Sequence, residues 1–247
     1  MSAADLLIWL TILVLVAMLA SGTAQEVVTG LPRAGRYISR LWPPRLAALP
    51  DLGPAILETA QIAVFGTMLG FITSLPIALL ACHKMTSFLP LYLGARVILL
   101  LMRGLPAMIL AIIFICAVGL GPLAGIMGVW IYSGGVLGKL ISENFEAADQ
   151  DVLDAAAIDG CNKWQGYLYV LLPMQANAVL SFLLYRFESS FRAATLAGVA
   201  GCGGLGLELT AAMGLFDYGK ISLIICVILA CVLSLDLGSR LLRRRFL

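Results

Sequence analysis

Charge is what this sequence has least of. Only 12% of its 247 residues are Asp, Glu, Lys or Arg, about half the share that soluble domains carry. So few charges cannot cover a water-facing surface, and with 61% hydrophobic residues and a mean hydropathy of +1.00 the chain reads as an integral membrane protein. A net charge of +2 is too small for a nucleic-acid partner. The one basic cluster, the terminal "RLLRRRFL", reads as a cytoplasmic anchor. The single histidine, His83, sits beside Lys84 without a carboxylate or cysteine cluster, so there is no constellation for metal or acid–base chemistry and no ground for an enzyme. The six cysteines form no CxxC pair and fall mostly in apolar runs; they read as small buried hydrophobes, with neither metal nor disulfide. A nucleotide-binding loop is missing too. The stretch "GLFDYGKI" at 214–221 imitates GxxxxGK, but Ile221 stands where a hydroxyl would hold magnesium and an apolar helix follows. No cofactor is expected in this chain. Inverted repeats are also absent, which weighs against an ion-coupled secondary transporter.

What is present is a series of apolar runs of about 20 residues, each long enough to cross a bilayer. They fall at 6–24, 56–82, 96–118, 122–140, 173–199 and 221–242, the third kinked by Pro106. A cleavable signal is the rival reading of the first run, but residues 1–5 lack a basic n-region. The fold class is therefore all-α, an integral membrane protein of about six transmembrane helices. The chain divides into a first transmembrane helix at 1–24, an amphipathic interfacial segment at 25–54 and a core at 55–247 with a long loop at 142–172. In the interfacial segment Arg33, Arg36 and Arg40 lie opposite Tyr37, Ile38, Leu41 and Trp42 before "WPP" ends the run.

The fifth run carries a polar stripe. Ser181, Tyr185, Glu188, Arg192 and Thr195 recur at alternating four and three, which is one face of a helix. Such a face avoids lipid and marks either an internal pair or a pathway. Glu188 and Arg192, at i and i+4, suit a pair; Arg192 with Arg186 from a neighbouring face suits a cavity positive enough for an oxyanion. The run "GCGGLG" at 201–206, with Gly201, Gly203, Gly204 and Gly206, reads as flexible backbone near the external mouth, part of a gate.

The long loop contains "LDAAAIDGCNKWQGYLYVLLPM" at 153–174. Asp151 suits an N-cap, Asp154 three residues on makes an imperfect capping box, Ala155 to Ala157 favour helix, Gly160 ends it and Pro173 opens the next span. That is a short docking helix or an ordinary surface helix. The spacing of Asp154-Ala155-Ala156, Gly160 and "VLLP" ending at Pro173 resembles the EAA loop of ABC importer permeases, with Asp in place of Glu. In that family the loop is a coupling helix seated on a cytoplasmic ATPase, and the resemblance implies this role for Asp151, Asp154, Ala155, Ala156, Gly160 and Pro173. Further stretches are similar to the phosphonate-type branch: "RGLP" at 103–106, "AVGLGPLAG" at 117–125, "GGVLGKL" at 134–140 and "YRFESSFRAATLAGVAGCGGLGLEL" at 185–209. Ala107, where that branch leads one to expect an acid, and Tyr132, where it leads one to expect His, point away from an ordinary alkylphosphonate toward phosphite or hypophosphite.

The resemblance implies a type I importer permease of the bacterial inner membrane. It would act as a homodimer with two ATPase subunits, which bind the ATP and magnesium, and an external binding protein. A permease of the same fold for methionine or a quaternary amine is the alternative. Setting the EAA loop and terminal arginines in the cytoplasm puts His83 and Lys84 inside and 25–54 outside, against the positive-inside tendency of the arginines in that segment.

Overall fold

The structure is a computed structural model describing residues 35, 39–86, 88–148, 158 and 160–246. The first expected span at 6–24, most of the interfacial segment, and Asp151, Asp154, Ala155 and Ala156 lie outside the described residues.

Every regular element among the described residues is helical, as the bilayer requires of an open chain whose backbone groups must pair within their own segment. Numbering the longer helices in chain order, α1 is Gly53–Leu80, α2 Leu89–Gly104, α3 Ala107–Val118, α4 Pro122–Ala147, α5 Ala176–Ala197, α6 Gly204–Gly214 and α7 Tyr218–Phe246. α1 and α4 begin with proline in the first turn, where no amide partner is lost. α1, α4 and α7 are single spans by length and apolarity, and α2 with α3 and α5 with α6 form two further spans if each bent pair is counted as one.

The second expected run needs only a shift of boundaries, but the third is more than kinked. α2 and α3 meet at 87°, because Leu105 is extended at φ −102°, ψ 131° ahead of Pro106, the conformation that a following proline enforces. The fifth run differs as well. Pro173 sits in a separate turn, Leu172–Met174, so the span proper begins at Ala176, and it breaks at Gly198–Cys202 before α6 continues at 52°.

α1 and α4 pack at the centre through small residues. A Cβ at Gly70 would come within 2.9 Å of the Gly134 amide nitrogen, so the two backbones touch in the manner of membrane helices joined by glycine. Ile62, Val129, Phe191, Leu205 and Ile224 fill one core region; Phe145, Tyr167, Leu137 and Cys82 fill another. The apolar faces of α2 and α7, with Leu93, Leu101 and Leu237, are exposed and suit contact with hydrocarbon.

The two ends of the bundle are distinct. At one, Glu146 accepts from the His83 amide at 2.8 Å and from Arg96 Nη2 at 2.6 Å, while Lys84 Nζ donates to the Ala148 carbonyl at 2.7 Å. At the other, Arg45 reaches Asp217 at 3.4 Å and its amide donates to the Gly219 carbonyl. The 83–84 turn thus shares an end with the start of the long loop, and Arg45 lies at the opposite end. α7 starts beside Arg45 and runs for 29 residues, about 43 Å at 1.5 Å per residue, enough to carry its terminal arginines across.

Candidate functional site

The polar stripe of α5 divides once its neighbours are seen. Ser181 and Thr195 return their hydroxyls to the Asn177 and Phe191 carbonyls, at 2.9 and 3.0 Å, and are satisfied within their own helix. Glu188 and Arg192 form an ion pair at 2.7 Å. Tyr185 is exposed. These five therefore do not converge on one point.

Arg186, on the neighbouring face, makes the tightest cluster. Only 3% exposed, it meets α4 near that helix's middle. Its Nε donates to Ser133 Oγ at 3.0 Å, Ser133 and Ser190 share a hydrogen bond of 3.2 Å, and the guanidinium lies 4.4 Å from the Tyr132 ring centroid. Its Nη2 is buried without a hydrogen-bond partner among the described residues, and none of their ion pairs includes it. A charge at that depth costs roughly 2.5–3.5 kcal/mol on insertion scales. The cation–π contact and one serine offset part of this.

Beside the cluster, where α2 turns into α3, lies a cavity of about 240 Å³ lined by Pro106, Ala107, Tyr132, Ser189, Arg192 and Leu196. Ala107 and Tyr132, the two departures noted in the sequence, line this same cavity. A second cavity of about 270 Å³ lies on the side of the long loop, with Arg96, Arg103, Lys139 and Glu143 in its wall. There Lys139 pairs with Glu143 and Arg96 with Glu146, so much of its charge is already balanced.

The glycine run makes a sharp bend. Gly201, Gly203 and Gly204 have φ of 109°, 93° and 67°, which side chains with a Cβ rarely adopt. Gly203, Gly204 and Gly206 are buried. Glu58 Oε2 accepts from the Gly204 amide at 2.6 Å and Thr59 Oγ1 from the Leu205 amide at 2.9 Å, so α1 caps the start of α6.

At the loop end, Gly160 has φ +84°, the turn conformation expected of it. Tyr167, 2% exposed, sets its hydroxyl 3.6 Å from Cys82 Sγ and its ring edge-on to Phe145. Burial, reinforced by the Cys82 contact, holds its hydroxyl above the usual phenol range. Tyr167 is thus a neutral anchor tying the end of the loop to the 81–86 turn.

Sequence reasoning missed Ser133, Ser190, Glu58 and Thr59. Glu58 was within reach, since an acid inside an apolar run marks function or a buried partner. The serines carry no such signal.

A family model described as binding-protein-dependent transport system inner membrane component matches residues 66–247. The chain is 33% identical to the phosphite transport system permease protein PtxC of Stutzerimonas stutzeri over 90% of its own length and 81% of that protein. It is 32% identical to the phosphate-import permease protein PhnE of Mycolicibacterium smegmatis, over 87% of this chain and 40% of that one. Among solved structures it resembles the MetNI methionine ABC transporter in inward-facing conformations, with a TM-score of 0.68 and 17% identity, covering 78% of this chain and 95% of that one.

Proposed function

Because the chain belongs to the family of binding-protein-dependent transport system inner membrane components, we propose that it is the permease subunit through which a phosphorus oxyanion, phosphite foremost, enters the cell. It is a transport subunit, not an enzyme. Alternating access is driven by partner ATPase subunits, which bind the ATP and magnesium, and the anion is delivered by an external binding protein. Two copies of this chain form the pore.

The observation that carries the substrate class is the 33% identity to a phosphite permease over 90% of the chain. Ala107 and Tyr132, the two departures from the phosphonate-type pattern, line one cavity with Arg192, which supports a substrate other than an ordinary alkylphosphonate. The likeness to the methionine transporter, at 17% identity, concerns the fold alone. The residues divide into three roles. Asp151, Asp154, Ala155, Ala156, Gly160 and Pro173 couple to the ATPase; Ser181, Tyr185, Arg186, Glu188, Arg192 and Thr195 serve the path; Gly201, Gly203, Gly204 and Gly206 form the outer gate.

Calorimetry on the cognate binding protein tests the substrate. Phosphite, hypophosphite or methylphosphonate is expected to bind at least roughly a hundredfold more tightly than phosphate, a margin that needs about 2.7 kcal/mol. Tight binding of methionine or a quaternary amine instead would remove the phosphorus anion and leave the permease.

A further inference from the structure

We propose that Arg186 is the receptor for the anion inside the membrane, and that the Tyr132 ring is the shutter separating it from the cavity at the α2–α3 break. This rests on the substrate class proposed above.

The reasoning starts from charge balance. Arg192, which lines the cavity, is held by Glu188 at 2.7 Å; that pair presents little net charge. Arg186 has no carboxylate partner among the described residues, and its Nη2 has no acceptor. A buried guanidinium with an unused N–H is disfavoured unless an acceptor reaches it. The groups around it are suited to an oxyanion. Ser133 and Ser190 are linked to each other and to Arg186 Nε, and hydroxyls can turn to donate. The fork of a guanidinium matches the paired oxygens of a phosphorus acid.

Access is the missing step. Tyr132 lines the cavity, and its ring also lies 4.4 Å from the Arg186 guanidinium. Its ring is thus shared by the wall of a space that suits a small anion and by a cation with a free donor. Moving the ring aside trades a cation–π contact for a charge-assisted hydrogen bond, which is the stronger interaction. When the anion leaves, the ring returns and the cation is covered again. In the resting state Arg186 is thus hidden, and the charged wall that would hold water and ions in an open channel is not displayed.

The test uses the whole transporter in proteoliposomes, this chain with its ATPase and binding protein, with phosphite as the probe. In Arg186→Gln the phosphite taken up per ATP hydrolysed is expected to fall roughly tenfold or more, whereas a merely structural role would lower uptake and hydrolysis together. Arg186→Lys should be intermediate, since the charge stays and the fork goes. Tyr132→Ala, without ATP or binding protein, should let preloaded phosphite leak faster than from the unaltered transporter. The leak should disappear in Tyr132→Ala combined with Arg186→Gln and be reduced in Tyr132→Ala combined with Arg186→Lys, while leak of the neutral polyol erythritol is the same in single and double variants. An unchanged uptake ratio in Arg186→Gln, or a phosphite leak indifferent to residue 186, would overturn the site. If Arg186→Gln does not assemble with the ATPase, the lysine variant and the leak comparison decide. Should the unaltered transporter accumulate neither phosphite, hypophosphite nor methylphosphonate with ATP, the substrate class itself falls, and this site with it.

Discussion

At the scale of single residues, the loop end of the bundle separates holding from signalling. Tyr167, Glu146 and Lys84 fasten the loop's bases to the 81–86 turn through the contacts at Cys82, His83 and Ala148. Gly160 by contrast has open space where a Cβ would stand, and only its φ of +84° demands glycine. A substitution there strains the turn by about 1–2 kcal/mol without disturbing the packed spans. Gly160→Asp and Asp154→Arg are therefore expected to reach the membrane in near-normal amounts. They should co-purify poorly with the ATPase or lose its stimulation by loaded binding protein. Membrane abundance, co-purification and stimulated hydrolysis measured together decide the matter; normal values of all three in both variants would show that the loop does not couple.

At the scale of elements, α6 owes its start to another helix. Glu58 and Thr59 of α1 accept the Gly204 and Leu205 amides, so removing either leaves a buried donor unmet. Glu58→Ala is expected to cost about 1–2 kcal/mol and Thr59→Val about 1–3 kcal/mol. A lower midpoint of thermal unfolding in detergent is the measurement, with Glu58→Gln losing less because its carbonyl still accepts. This cap also shows where a sequence stops being informative. The glycines at 201–206 announce a break, but their partners lie on α1, 146 residues away, and no local pattern connects the two. The uninterrupted spans were readable because hydropathy is a local sum: the expected 122–140 and 221–242 lie within Pro122–Ala147 and Tyr218–Phe246. Pro106 announced an interruption, but a proline specifies only a missing hydrogen bond and an extended neighbour. The direction α3 takes afterward is set by packing on α4, where a Cβ at Gly128 would meet the Ala111 backbone. Arg186 tells the same story. A helical wheel places it off the polar stripe, and only the fold brings Ser133 and Tyr132 to it.

At the scale of the whole molecule, the ends of the bundle can be assigned to sides of the membrane by chemistry. Arg45 and Asp217 share one end; Lys84 and Ala148 share the other. In a cysteine-free background, Arg45→Cys is expected to react with an impermeant thiol reagent added outside intact cells. Lys84→Cys should react only after the membrane is opened. The reverse pattern would invert the molecule and put the coupling loop outside, away from any cytoplasmic ATPase. The break between α2 and α3 has a consequence of a different kind. Each half-helix carries its own macrodipole, and α3 begins at Ala107, on the wall of the cavity. Its positive end, equivalent to about half an elementary charge, therefore faces the space beside Tyr132 and Arg192. Unlike a lysine or histidine, aligned peptide groups have no proton to lose. The attraction they offer an entering anion therefore does not vary with pH.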